Sequence, residues 1–301
     1  IRYYWSSGLE LSFMMLDYFA HTGDDGFAED TLVPIADAVV TFYDEHYPRD
    51  ESGTLRIAPS QSLETYQDAV NPLPPIAGLR AVLPRLLALP ESLVSPQQRE
   101  RWRRLLEAVP PLPMTESEDG EALLAPAAEI LEPPKNQENP ALYAVFPYRL
   151  YGIGRPDIEI ARRTYASRRV KSHRGWHQEE TQAACLGLGE EAGAGLLERL
   201  SDQYRVGRFP VNWGPNFDWI PDQDHGSNVL LGLQHMVLQW DGDAIYVLPA
   251  WAPEWNVDFR LHAPKGTVVK GAFIDGEPAW LEVDPGERRQ DTVTNPVGES
   301  G

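Results

Sequence analysis

At 301 residues, with 42% apolar side chains, the chain is long and apolar enough to bury a sizeable core, and its mean hydropathy of −0.38 excludes a disordered or membrane-embedded polypeptide. A net charge of −19 argues against nucleic acid or an anionic membrane as partner, because a field of that sign repels phosphate. The single cysteine, Cys185, rules out an intrachain disulfide and a cysteine zinc site, and its apolar setting (AACLGL) reads as a buried thiol.

Leu9, Phe13, Leu16 and Ala20 recur at helical spacing and predict a first helix over 8–21, stopped by Gly23. That helix is apolar around much of its circumference and needs neighbours on several sides. The chain is therefore expected to be the C-terminal portion of a longer polypeptide whose missing N-terminal part packs against it. A second helix is predicted over 27–46, with Leu32, Ile35, Val39 and Phe42 inward. About thirty residues then break helicity, with a short strand near 55–58. Helices are predicted again over 76–89 and 96–109, the latter opened by Ser95 and Pro96. A strand near 122–130 precedes further helices over 140–151, 157–168, 177–188, 190–202 and 227–239. From Asp243 the apolar period changes to two, and 244–249, 257–264, 267–275 and 278–283 read as strands.

This order predicts a mainly α fold: an (α/α)6 toroid of helical hairpins lacking its first helices, over 1–242, with a small C-terminal β region over 243–301. The long, aromatic-rich connections fall at alternate junctions, which would gather them at one end of such a toroid. An ordinary helical bundle or solenoid is the structural rival.

Four of those connections carry candidate chemistry. The stretch 207–228 (GRFPVNWGPNFDWIPDQDHGSN) sets Trp213 and Trp219 among Asn216, Asp218, Asp222, Asp224 and His225. Flat rings beside carboxylates and amides suit a pyranose, rings covering its C–H face and polar groups bonding its hydroxyls; alternatively the tryptophans plug the core beneath the loop. Asp224, just before the last helix, could stay ionised beside that helix start and act as a base, with Asp222 and Asp218 as rivals and helix capping as the plain alternative. In 59–72 (PSQSLETYQDAVNP), Glu64 is flanked by Gln61 and Tyr66, and a carboxyl beside an aromatic, partly out of water, has the raised pKa a general acid needs. Asp68 competes for that role. Glu138 and Asn139 precede a segment bearing Tyr143, as sugar contacts or, for Asn139, as a helix cap. Trp176, His177 and Gln178 read as a pocket rim, while His173, His177 and Glu180 lack a convincing third metal ligand in the sequence. No metal and no cofactor is expected.

Taken in order, these segments resemble glycoside hydrolase family 95, the inverting α-L-fucosidase and α-L-galactosidase group, over most of residues 5–262. Tyr18-Phe19-Ala20-His21-Thr22-Gly23-Asp24 is similar to that family's Tyr-x-x-Thr-Gly-Asp motif, and Ala58-Pro59-Ser60-Gln61-Ser62-Leu63-Glu64 to its acid motif. Gly175-Trp176 resembles its Gly-Trp helix start. Asp224-His225-Gly226 with Val247-Leu248-Pro249-Ala250 resembles its Asp-Gly-Asn loop and following strand. Glu138-Asn139-Pro140-Ala141 stands where the family has a His-rich segment, so the sugar need not be fucose, and the family's asparagine pair would lie upstream of Ile1. The resemblance implies an inverting, exo-acting hydrolase of a carbohydrate substrate, with Glu64 as general acid and Asp224 as general base, outside the cytoplasm. A polysaccharide lyase and a non-catalytic glycan-binding protein are the rival expectations.

Overall fold

Ser6–Thr22 forms the first helix, α1, closed by Gly23 in the left-handed conformation. In the computed structural model, which describes residues 1–173, 175–201 and 223–294, helix makes up 44% and strand 21%, the strands lying in four small sheets. The protein is a mixed α/β molecule, and the expected mainly α toroid is not its fold. The described chain divides into two compact units, Ile1–Leu150 with Glu159–Val170, and Tyr151–Ile158 with the part from Lys171 onward.

In the first unit, α2 (Asp25–Phe27) runs through a π-helical turn, Ala28–Leu32, into α3 (Val33–His46). That turn alters the inward face. Leu32, Val33, Ala36, Val40 and Tyr43 are buried, whereas Ile35 is exposed and Val39 only half-buried, because the wider π turn shifts the register of everything after it. Asp37 on α3 accepts the Trp102 indole N–H at 2.7 Å and pairs with Arg101, tying it to α5 (Pro96–Ala108). Between them, Ser60–Ser62 (β1) and Tyr66–Pro72 (β2) pair antiparallel, and Ala127–Ile130 (β5) adds to β2. Within the segment expected to break helicity, 60–62 and 66–72 are thus strands, and only an isolated bridge, Arg49 to Leu55, marks the strand expected near 55–58.

Helix α4 (Leu73–Leu87) follows β2 directly and is buried along most of its length. Its Gly78 lets α1 approach closely: a Cβ there would lie 2.9 Å from Leu9 and 2.8 Å from the Tyr148 hydroxyl. Met114–Glu116 (β3) and Ala122–Leu124 (β4) form a hairpin, and the Leu124 N–H donates to Thr164 of α6 (Ile158–Ala166). The helix expected over 140–151 is a 3-10 turn, Pro140–Ala144, followed by turns, and its Arg149 has φ of 51°.

The second unit opens with α7 (Glu179–Cys185), α8 (Gly189–Arg199) and α9 (Gln223–Val237) packed together. Leu238–Asp241 (β6) pairs with Ala244–Val247 (β7), and Thr292–Thr294 (β11) lies parallel to β7. Val257–Ala263 (β8), Thr267–Ile274 (β9) and Glu277–Asp284 (β10) form an antiparallel meander. Inward residues of both sheets, among them Ile245, Val247, Phe259 and Val269, make one core with Val237. No helix among the described residues is long and apolar enough to cross a membrane.

Candidate functional site

Gln61 anchors the acid loop of the first unit. Its Oε1 accepts the backbone N–H groups of Arg2 and Tyr3 at 2.6 and 2.8 Å, and its Nε2 donates to the Leu63 carbonyl. Ser60, Gln61, Ser62, Leu63 and Thr65 are all buried, behind a cis Ala58–Pro59 bond. Leu63 has φ of 54°, a region that costs a side-chain-bearing residue about 1–3 kcal/mol and that clusters at functional sites. So much enforced geometry leaves one acid, Glu64, half-buried at the loop's apex.

A second loop crosses this one. The Asn136 amide donates to Glu64 Oε2 at 3.1 Å, and Lys135 N–H donates to the Thr65 carbonyl. Glu138 Oε2 accepts both the backbone N–H and the hydroxyl of Thr65, each at 2.9 Å, while Glu138 N–H donates back to Thr65 Oγ1. Burial, opposed by the Thr65 hydrogen bond and reinforced by the charge of Glu64, lifts the Glu138 carboxyl above its ordinary pKa.

Two further groups join that pair. Glu10 on α1 has one carboxyl oxygen buried with no partner among the described residues, and burial, with Glu138, raises its pKa. Tyr4 is pushed up by burial and by the charges of Glu10, Glu138 and Glu64; Tyr143 is pushed up by burial and by Glu10, Tyr4 and Glu138. Behind Tyr143 stands Tyr148, with ring centroids 6.4 Å apart. The hydroxyls of Tyr148 and Tyr43, each 1% exposed, have no partner among the described residues. No ion pair to Glu10, Glu64 or Glu138 occurs among the described residues. Glu10 and Tyr4 escaped the sequence reading; the signal was a lone acid inside an apolar helix (GLELSFMM), where a solvated residue is the ordinary expectation.

Of the other expected residues in this unit, Tyr66 is half-buried at the start of β2. The Asn139 amide does not cap the 3-10 turn: it donates to the Val170 carbonyl at 2.9 Å and accepts the Val170 N–H at 3.1 Å, as a neighbouring strand would.

In the second unit the polar centre is Arg199, 1% exposed on α8. It pairs with buried Glu180 of α7 at 3.1 Å and donates to the carbonyls of Gly175 and His177. His173 Nδ1 lies 2.7 Å from Glu180. Burial disfavours the Glu180 charge, yet the His173 hydrogen bond and Arg199 outweigh it and hold the carboxyl below its usual range; the hydrogen bond to Glu180 in turn raises His173. His225, fully buried on α9, accepts the Gly175 N–H at Nδ1, so its proton sits on Nε2, 3.1 Å from the Arg199 carbonyl. Both nitrogens of His225 thus serve this network. Trp176 stacks on His177 with centroids 4.2 Å apart, and Gln178 precedes α7 without capping it by its side chain. Asp224 is exposed in the first turn of α9, whereas Trp213, Asn216, Trp219 and Asp222, with Asp218, lie outside the described residues.

The expected residues therefore form a set around Glu64 in the first unit (Gln61, Tyr66, Glu138, Asn139, Tyr143) and a set in the second (Trp176, His177, Gln178, Asp224, His225). Among the described residues no group of three or more His, Cys, Asp or Glu side chains is arranged to hold a metal ion. No family model matches the chain, and no curated protein matches it.

Proposed function

We propose that the protein is a glycoside hydrolase acting with inversion at the end of an oligo- or polysaccharide. The observation that carries this reading is the crossing of the 60–65 and 135–138 loops, which holds Glu64 by the Asn136 amide and sets a second carboxyl, Glu138, against the next residue. Burial raises the Glu138 carboxyl beside Glu64, and a glycosidic oxygen needs a proton as it leaves. Glu64 is the general acid of this reading. Tyr143 and Tyr66 offer faces for a sugar ring, and Asn136 an amide for its hydroxyls.

The test is a panel of aryl glycosides offered to the protein and to its Glu64→Gln variant. Wild type should release the phenol, and the variant should lose nearly all turnover, ~10²-fold or more, while still binding glycan by calorimetry. Unchanged turnover in the variant rejects Glu64, and no release from any glycoside rejects the hydrolase.

A further inference from the structure

Two acids on α1 are matched differently. Asp17 takes the guanidinium groups of Arg85 and Arg149 at 2.7 and 2.6 Å. Glu10, about two turns earlier on the same helix, has no ion pair among the described residues, and one of its carboxyl oxygens is buried without a hydrogen-bond partner there. Two phenols share that condition. The Tyr43 and Tyr148 hydroxyls, each 1% exposed, lack a partner among the described residues, and the charge of Glu10 reaches both. The Tyr148 ring packs edge-on against Phe13 of α1, centroids 5.6 Å apart. A Cβ at Gly78 would touch both the Tyr148 hydroxyl and Leu9, so that hydroxyl lies alongside α1 at the level of Glu10. Tyr4, Glu10 and Glu138 are only half-buried, so the cluster is dry at the two phenols and meets solvent at the acids.

We infer that Glu10, Tyr43 and Tyr148 receive a positively charged nitrogen of the substrate, which makes the substrate an amino sugar with a free amine. This rests on the hydrolase reading above and names only its sugar. A buried carboxyl oxygen without a partner is costly, and a native chain keeps one where another group completes it. The three atoms set what that group is. Neither phenol donates to Glu10 itself. All three oxygens can accept, and an ammonium brings three N–H donors and no lone pair. A sugar hydroxyl brings one donor and an acetamido group one, neither with a charge to answer the acid. A metal ion would need several carboxyls at once, and none are so grouped among the described residues. The ring faces of Tyr4 and Tyr143 beside the acids suit a cation and the C–H bonds next to it.

Calorimetry on the full chain tests this. Glucosamine, galactosamine and mannosamine are each compared at neutral pH with the parent hexose and the N-acetyl derivative. At least one amine should bind about 10–10²-fold tighter than both of its neutral counterparts, as a charged hydrogen bond is worth. Glu10→Gln keeps the shape and removes the charge, and it should abolish that preference; Tyr148→Phe removes one acceptor and should reduce it. Amines that bind no better than neutral sugars, or a preference that survives in Glu10→Gln, overturn the inference and leave the cluster to water. Hydrolysis is read separately, on aryl glycosides. Release from neutral glycosides with no amine preference removes the amino sugar and keeps the hydrolase. Preferred binding of an amine with no release from any glycoside, amino glycosides included, keeps the cation site and removes the hydrolase. A readout independent of variant folding is the Glu10 carboxyl carbon followed by NMR in the wild type. Saturation with the amine should move its titration to lower pH, because a cation favours the carboxylate, and an unmoved titration overturns the assignment.

Discussion

Glu10 carries a cost that depends on pH. Its raised pKa means that the folded chain holds this proton where the unfolded chain has already released it. The resulting stabilisation is complete below the ordinary carboxylate pKa and is lost as pH rises through the folded value, where a poorly solvated charge must form. Glu10→Gln removes that charge and keeps the shape. Its melting temperature should exceed wild type by a few degrees near pH 8 and match it near pH 4, as followed by circular dichroism. An equal shift at both values would assign the effect to packing. The same residue marks a limit of the sequence. Glu64 and Glu138 were legible because they sit among prolines, amides and tyrosines in segments that could not be regular helix, whereas Glu10 looks like any polar residue on a helix until α4 and the 140–150 segment close around it.

Helix packing in the second unit turns on Gly195 of α8. A Cβ there would lie 2.7 Å from His173 Nδ1 and 2.8 Å from Glu180 Cγ, so its absence makes room for the buried Arg199–Glu180–His173 network. The two titrations act in opposite directions. The stabilisation from Glu180, whose pKa is lowered, is lost as pH falls through its folded value, and that from His173, whose pKa is raised, is lost as pH rises through its own. The network therefore supports the unit most between those limits. Gly195→Ala should destabilise the protein by roughly 1–3 kcal/mol near pH 6 despite alanine's better helix propensity, and the His173 ring should titrate closer to an ordinary histidine by NMR. A neutral or stabilising result would show that the side chains can step aside. Periodicity located these helices within a few residues, yet not this contact, since a glycine inside a helical pattern is silent about its neighbour. Periodicity also put Ile35 and Val39 inward on α3, an error of one residue introduced by the π turn at Ala28–Leu32, which the pattern of apolar residues does not encode.

On the scale of the whole chain, alternating helices and long connections suggested a toroid, but the connections themselves fold: 60–62, 66–72 and 127–130 are paired strands, and 140–144 is a 3-10 turn. The strands expected near 122–130 and from 244 onward were legible, whereas β1 and β2, whose burial does not alternate, were not. The loss of the toroid removes the argument that placed the aromatic connections at one end, so the base must now be tested by chemistry. Asp224 stands exposed in the first turn of a fifteen-residue helix. If it activates the attacking water, Asp224→Ala should lose ~10²–10⁴-fold in turnover on an activated glycoside, because water attacks slowly without a base. Azide, which needs no base, should then restore the rate and yield a glycosyl azide of inverted configuration, identified by proton NMR of the anomeric centre. Full activity in the variant, or a retained configuration in the azide product, would move the base to another residue and the reaction to another stereochemistry, because an inverted azide forms only when the nucleophile enters on the face opposite the departing oxygen.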